Sequence, residues 1–286
     1  MTEFLELIKN LEDPMPEGPE VLHVARTHVQ PVIGRTVKRV SIKSGRYMRA
    51  PIPEISNIEG AFLERIKVKG KLIVLYFMKG NERFAVLSTL GMTGWWYLEH
   101  TNSLQHLRIE LELEGSPQFL CFCDPRNFGT FKVVSLAEAK RKLNELGPDI
   151  MTPAEQLQLC IPQFEERLNR FGKNVTIAEA LLDQRIAAGC GNYLRADGLY
   201  MAQIDPRRAA TSITGTERVK IWCALYDLSH SALEDRHPLI NGASYRNVCY
   251  GQQRGHYGEP VESYSDRHGR TVWWAPSRVK DLVTSS

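Results

Sequence analysis

The chain has no Cys-x-x-Cys pair. Its six cysteines (Cys121, Cys123, Cys160, Cys190, Cys223, Cys249) are scattered, which argues against a zinc ribbon and a disulfide framework and points to reduced thiols. No apolar run approaches the roughly 20 residues needed to span a bilayer, so no membrane partner is expected. There is no internal repeat and no low-complexity tract. An excess of one charge is also missing: 36 Lys and Arg stand against 33 Asp and Glu, giving +3 and a pI near 8.5. Composition alone therefore does not indicate a nucleic-acid partner, and any such case rests on where the cations sit. The first fourteen residues lack the basic start and small-residue cleavage site of a secretory signal. With Glu3, Glu6, Glu12 and Asp13 they are also too acidic for a transit peptide.

What is present is enough for two globular domains: 286 residues, 43% hydrophobic and 24% charged. Val21, Leu22, Ala25 and Val29 share one helical face until Pro31 interrupts. Strand-like segments follow at Thr36–Ile42, in the apolar run Leu72–Met78, in the alternating Leu107–Leu113, and at Phe119–Cys123. From Leu136 the period becomes helical, with a break at Leu146-Gly147-Pro148-Asp149. Helices are predicted over Ala154–Phe171, Ile177–Gln184, Tyr193–Ala202 and Gly215–Glu234. Tyr245–Gly251 and Thr271–Trp274 read as a small terminal hairpin.

Five motifs carry possible chemistry. In Met15-Pro16-Glu17-Gly18-Pro19-Glu20 the proline directly follows a methionine. Released from Met15, Pro16 would present a secondary amine, a nucleophile able to form an iminium, with Glu17 beside it for proton transfer. Inside a peptide the same nitrogen is an amide without that chemistry. Lys71, after Lys69-Gly70, stands at the mouth of a strand where an ammonium can clamp a phosphate. Leu90-Gly91-Met92-Thr93-Gly94 and Asp124-Pro125-Arg126-Asn127-Phe128-Gly129 are turns presenting apolar or planar side chains. Gly189-Cys190-Gly191-Asn192 opens a helix, a place where backbone N–H groups receive anions. Each also has a plainer reading: a Pro/Gly turn feeding a helix, a pair of solvated lysines, loop packing, an ordinary turn.

Taken together and in this order, the motifs resemble the Fpg/Nei family of DNA glycosylases and AP lyases, nearer its endonuclease VIII (Nei) branch. The supporting set includes Leu181-Leu182-Asp183-Gln184, Ala196-Asp197, Ile204-Asp205-Pro206 and Asp266-Arg267-His268-Gly269-Arg270-Thr271. The resemblance runs from Pro16 to about Val279. It implies an α+β fold: an N-terminal β-sandwich flanked by helices (16–146), a helix-two-turns-helix domain (150–240) and a finger hairpin (244–279), with 1–15 a leader absent from the active enzyme. DNA would lie in the cleft between domains.

The implied roles are catalytic for Pro16, Glu17 and Lys71, with Glu20 in support. Asn192 and Arg270 would hold phosphates. Met92, Arg126 and Phe128 would fill the gap left by a flipped base, whose extrusion costs a few kcal/mol of stacking; this triad resembles the Fpg set. Where the family usually carries four finger cysteines, the chain has Arg254, Tyr257, Ala275 and Arg278, so soft thiolate ligands are missing. No metal or other cofactor is expected, and Trp273 and Trp274 are expected to pack the hairpin in its place.

The segment between Pro206 and Tyr250 looks shorter than in Fpg proteins, leaving little room for the loop with which they cap 8-oxoguanine, so the resemblance implies Nei-like selectivity for oxidised pyrimidines. The resemblance implies a bifunctional enzyme of base excision repair that cuts by β,δ-elimination, works as a monomer on damaged DNA, and resides in an intracellular compartment that contains DNA. A catalytically silent binder of damaged DNA is the alternative if the leader stays.

Overall fold

A computed structural model of the chain describes residues 15–100, 104–171, 174–234 and 247–279; the leader through Pro14 and residues 245–246 lie outside them. Two compact units divide the chain. One runs from Glu20 to Glu145 and takes in Pro16. The other runs from Leu146 onward and takes in Glu17–Pro19.

The first unit holds eight strands among its described residues: β1 (Val37–Ile42), β2 (Phe62–Lys69), β3 (Leu72–Lys79), β4 (Glu82–Thr89), β5 (Trp95–Glu99), β6 (Leu107–Leu113), β7 (Phe119–Cys123) and β8 (Thr130–Ser135). They form two antiparallel sheets, ordered β1-β6-β7-β5 and β2-β3-β4-β8. Val37, Ile109, Leu111 and Phe122 of the first sheet share one apolar core with Ile73, Leu75, Phe77 and Val86 of the second. Helix α1 (Gly18–Val24) widens into a π-turn over Ala25–Val29 and ends in a tight turn containing Pro31. Its apolar face, Val21, Val24, Ala25 and Val29, joins the same core.

The unbroken apolar run of β3 has a physical reason. Its odd positions face the sandwich, while Val74 and Tyr76 pack on the other side against Ala139 and Leu143 of α2 (Leu136–Glu145), so both faces are buried. The alternation in β6 holds from Ile109 to Leu113: on the face away from the sandwich core, Glu110 is paired to Lys43 but buried, and Glu112 pairs with Lys38 and Arg39 nearer solvent. It fails at Leu107. A bulge between Leu107 and Ile109 turns Leu107 to the other face, against Cys121 and Cys123.

The second unit contains α3 (Leu157–Leu168), α4 (Ile177–Leu181), α5 (Asn192–Ala202) and α6 (Gly215–Glu234) around Phe164, Leu181, Leu194, Trp222 and Leu225. A capping box of Thr176 and Glu179 starts α4. The terminal hairpin pairs β9 (Glu262–Ser265) with β10 (Thr271–Trp274), in register from Thr271 opposite Ser265 to Trp274 opposite Glu262. This corrects the strand expected over Tyr245–Gly251, whose described part is turn. In β9 only Tyr264 is partly buried, so that strand carries no apolar alternation to read. Among the described residues, no helix is long and apolar enough to cross a membrane.

Candidate functional site

Glu17 is 1% exposed. Its Oε2 accepts the N–H groups of Gly191 at 2.7 Å and Leu194 at 3.3 Å, and its Oε1 accepts that of Tyr193 at 2.9 Å. The carboxylate thus caps the first turn of α5, where orphan N–H groups and the helix dipole favour a negative charge. This revises the sequence reading of the glycine turn as a cradle for an external anion. Three of its donors already serve the chain's own glutamate. Gly18 follows for a steric reason: its N–H bonds to the Gly189 carbonyl at 2.9 Å, and a Cβ there would stand 3.2 Å from the Gly189 Cα.

Helix α5 gathers two further segments. Asp197, fully buried, accepts the N–H groups of Val248, Cys249 and Tyr250 at 3.1, 2.9 and 2.8 Å. Arg195, 0% exposed, reaches the hairpin turn, with one nitrogen 3.3 Å from Asp266 Oδ2 and another donating to the Thr271 carbonyl at 2.9 Å. Asp266 Oδ1 receives the N–H groups of His268 and Arg270, each at 2.9 Å. Burial raises the Asp266 pKa, but these N–H donors and Arg195 prevail and hold it below the usual carboxylate range. Arg270 itself is exposed at the tip. Asn192 opens α5 half-buried, with its Oδ1 lacking a hydrogen-bond partner among the described residues. The second unit therefore ties Glu17 to the start of α5, which carries Asn192, and fastens to the same helix the hairpin that carries Arg270. Sequence reading missed Arg195, which lies unremarked between the motif that singled out Asn192 and the Ala196-Asp197 pair.

In the first unit the two turns carrying Met92, Arg126 and Phe128 are joined. Asp124, 1% exposed, accepts the Thr93 hydroxyl at 2.8 Å and the Gly129 N–H at 2.7 Å. Thr93 Oγ1 in turn accepts the Arg126 N–H at 3.1 Å. Arg108 donates to the Asp124 and Pro125 carbonyls at 2.8 and 3.2 Å. Phe128 stays 53% exposed, and the Arg126 guanidinium lies 5.4 Å from its ring centroid. Met92 is half-buried.

Pro16 and Glu20 are buried in this unit, and Pro16 is acylated by Met15 in the full chain. Lys71 follows Gly70 (φ 55°) in the β2–β3 turn and is half-buried, whereas Lys69 donates to the Leu143 carbonyl at 3.1 Å. His28 is lowered to about 4, by burial first and by His23 second, and its Nδ1 accepts the Leu98 N–H at 3.3 Å.

The finger positions do not fit zinc. The Arg278 guanidinium stands 4.2 and 5.2 Å from the ring centroids of Tyr257 and Tyr200, and 3.6 Å from Glu259. A guanidinium among phenol rings offers no thiolate or imidazole ligand, and among the described residues no three His, Cys, Asp or Glu gather as a metal site. Trp274 packs under Arg207, whose guanidinium is 4.0 Å from its ring centroid, and Trp273 lies edge-on to Tyr250 at 6.4 Å.

A β-sandwich followed by a helical unit whose capped helix holds an arginine-tipped hairpin matches one class of DNA repair enzyme. The N-terminal domain model of formamidopyrimidine-DNA glycosylase matches residues 15–131, and the model of its H2TH domain matches residues 146–241. The formamidopyrimidine-DNA glycosylase of Thermus thermophilus is 32% identical over 236 residues, 81% of each chain. That of Idiomarina loihiensis is 27% identical over 94% of both. The crystal structure of the Thermus thermophilus MutM (Fpg) protein superposes with a TM-score of 0.76 at 28% identity, covering 92% of this chain and 98% of that one. Lactococcus lactis Fpg bound to DNA containing an abasic site shares the fold at 0.76 and 19% identity, covering 92% and 99%. The chain belongs to the formamidopyrimidine-DNA glycosylase family. It is a DNA glycosylase of base excision repair, and DNA is its partner.

Proposed function

We propose that the chain is a bifunctional glycosylase and AP lyase whose nucleophile is the Pro16 amine, released when the residues through Met15 are removed. The observation that carries this reading is the capture of Glu17 by three N–H groups of α5. It fixes the backbone one peptide bond from the Pro16 nitrogen. The family match beginning at residue 15 supports the same start.

The neutral amine attacks C1′ of the damaged nucleoside, forming an N–C bond as the glycosidic bond breaks and the base leaves with the electron pair. Protonation of the sugar ring oxygen opens the ring to the iminium. Loss of a C2′ proton then expels the 3′ phosphate, and δ-elimination expels the 5′ phosphate. An α-amino group titrates at about 7.7–8.0, so a useful fraction is neutral near pH 7.5. Glu17, the carboxyl next to the amine, moves the protons of these steps, with Glu20 behind it. Lys71, Asn192 and Arg270 hold phosphates; Met92, Arg126 and Phe128 fill the vacated stack. Oxidised pyrimidines are the favoured lesion. Relatives carry the name of an opened purine, and Lactococcus lactis Fpg has been crystallised with DNA containing an oxidised pyrimidine, so both lesion types belong in the test.

The test is borohydride trapping on oligonucleotides bearing an oxidised pyrimidine, an oxidised purine or an abasic site. Chains beginning at Pro16 and at Met1 are compared. A covalent complex with the Pro16 chain, lost in Pro16→Gly, is the expected result. Trapping with neither chain supports the second reading, a silent binder, which the acylated Pro16 nitrogen of the full chain favours wherever the leader is retained.

A further inference from the structure

The hairpin poses a mechanical problem. Two four-residue strands, of which β9 is mostly exposed, are marginal on their own in water, and the tip residues Arg267 to Arg270 are all exposed. Val272 of β10 enters the main core of the unit, with Tyr264 opposite it packed on that core; this anchors the strands and leaves the turn from Asp266 to Arg270 without apolar support. The turn is instead tied to α5 by a fully buried arginine. We propose that Arg195 and Asp266 are positioning residues, a metal-free strut that fixes the backbone of the hairpin turn, and with it Arg270, to helix α5.

The geometry runs without a gap. One nitrogen of the Arg195 fork lies 3.3 Å from Asp266 Oδ2, and the other bonds to the Thr271 carbonyl at 2.9 Å, so both ends of the turn are held by one planar group. Asp266 passes the constraint on through Oδ1 to the Arg270 N–H. On the outer side Arg267 pairs with Glu179 at 2.8 Å, but its side chain is half exposed, and exposed pairs hold geometry weakly. A lysine cannot replace Arg195, because one ammonium on a flexible stem does not span two acceptors as a fork does. Arg195 lies one helical turn beyond Asn192, so the strut also sets the spacing between Arg270 and the start of α5.

The role of Arg270 as a phosphate contact rests on the proposed function, so the test separates the two. Asp266→Asn preserves the acceptor for the His268 and Arg270 N–H groups but turns an amide donor toward Arg195. Arg195→Lys and Arg195→Met remove the fork. Amide exchange in the free protein is read first: the N–H groups of His268 and Arg270 should exchange at least about tenfold faster in these variants. Salt-dependent binding to an abasic-site duplex is read second. Arg270→Ala should lower the slope of log K against log salt by about 0.9, one phosphate contact. Asp266→Asn and Arg195→Lys should do the same, and neither should lower it further in the Arg270→Ala background. If Arg270→Ala lowers the slope while Asp266→Asn changes neither slope nor exchange, the strut is refuted. If Arg270→Ala leaves the slope unchanged, the phosphate reading falls, and amide exchange alone decides whether the strut holds the turn. Should Arg195→Met fail to fold, Asp266→Asn, which leaves the turn's own acceptor in place, decides between these outcomes.

Discussion

Asp124 is a severe test of how the two gap-filling turns are held. It is nearly inaccessible, and its two oxygens serve different loops, the Thr93 hydroxyl at 2.8 Å and the Gly129 N–H at 2.7 Å. Asparagine has the same shape but exchanges one acceptor for a donor. With its oxygen kept on Gly129, the new NH2 meets the Thr93 hydroxyl, which already accepts the Arg126 N–H; flipped, it faces the Gly129 N–H donor directly. One hydrogen bond to a charged acceptor is lost either way, worth about 1.5–3 kcal/mol. In a domain of this size, at about 2.1 cal/mol/K of unfolding entropy per residue, that lowers the melting temperature by about 6–11 °C. The loops then drift, and a displacement near 1 Å costs up to about a hundredfold in rate. Single-turnover incision of a damaged duplex by the chain beginning at Pro16, measured beside a thermal melt, reads both effects. A variant that melts within about 1 °C of the parent and incises at its rate refutes the staple. One that melts lower but incises normally confines Asp124 to stability.

Three smaller tests follow from the same packing. Glu217, 16% exposed and bonded to Arg208, is lowered to about 2, first by that arginine and then by Thr214. Its stabilisation is complete above the unfolded pKa near 4.3 and fades as pH falls toward about 2. Glu217→Gln should therefore cost about 2–3 kcal/mol in urea unfolding at pH 7 and almost nothing at pH 2; an equal cost at both ends contradicts the pairing. His28, lowered to about 4, must take up a proton against its burial, so stability should fall as pH drops from 6.5 toward 4 and His28→Gln should flatten that decline; an imidazole NMR titration centred near 6.5 rules this out. Gly91 has φ 63°, and a Cβ there would lie 2.6 Å from the Gly129 nitrogen. Gly91→Ala should cost at least about 1–3 kcal/mol and slow incision, whereas a wild-type melt would show that the turns are not in contact.

Much of the fold is visible in the amino-acid sequence because hydrophobic period reports burial. Leu72–Met78 and the face Val21 to Val29 read correctly, and the long helices appear near their observed bounds. The bulge at Leu107 and the strand Glu262–Ser265 do not, since a register slip has no compositional mark and an exposed edge strand has no apolar rhythm. At the site, short motifs pointed to Glu17, Asn192 and the loops around Met92 and Phe128. They misread the glycine turn, because a sequence shows that N–H groups are available without showing which anion takes them. Arg195 and Asp124 were illegible as positioning groups for the same reason: their partners lie 71 and 31 residues away along the chain.

Helix α5 has a consequence for how the protein is made. The hydrogen bond from Gly191 to Glu17 spans 174 residues, while those that Asp197 accepts and Arg195 donates link α5 to residues 51 to 76 positions further along the chain. On the ribosome, Glu17 emerges early and must wait for most of the chain before its receptor exists. Arg195 then waits for a turn near the C-terminal end. Closing such long loops is slow because their entropy is lost before any contact repays it. The β-sandwich is complete in sequence by Ser135 and folds without that delay. The second unit closes only when synthesis is almost finished, and a nascent chain stalled shortly before Asp266 should carry a finished sandwich beside an unlatched α5.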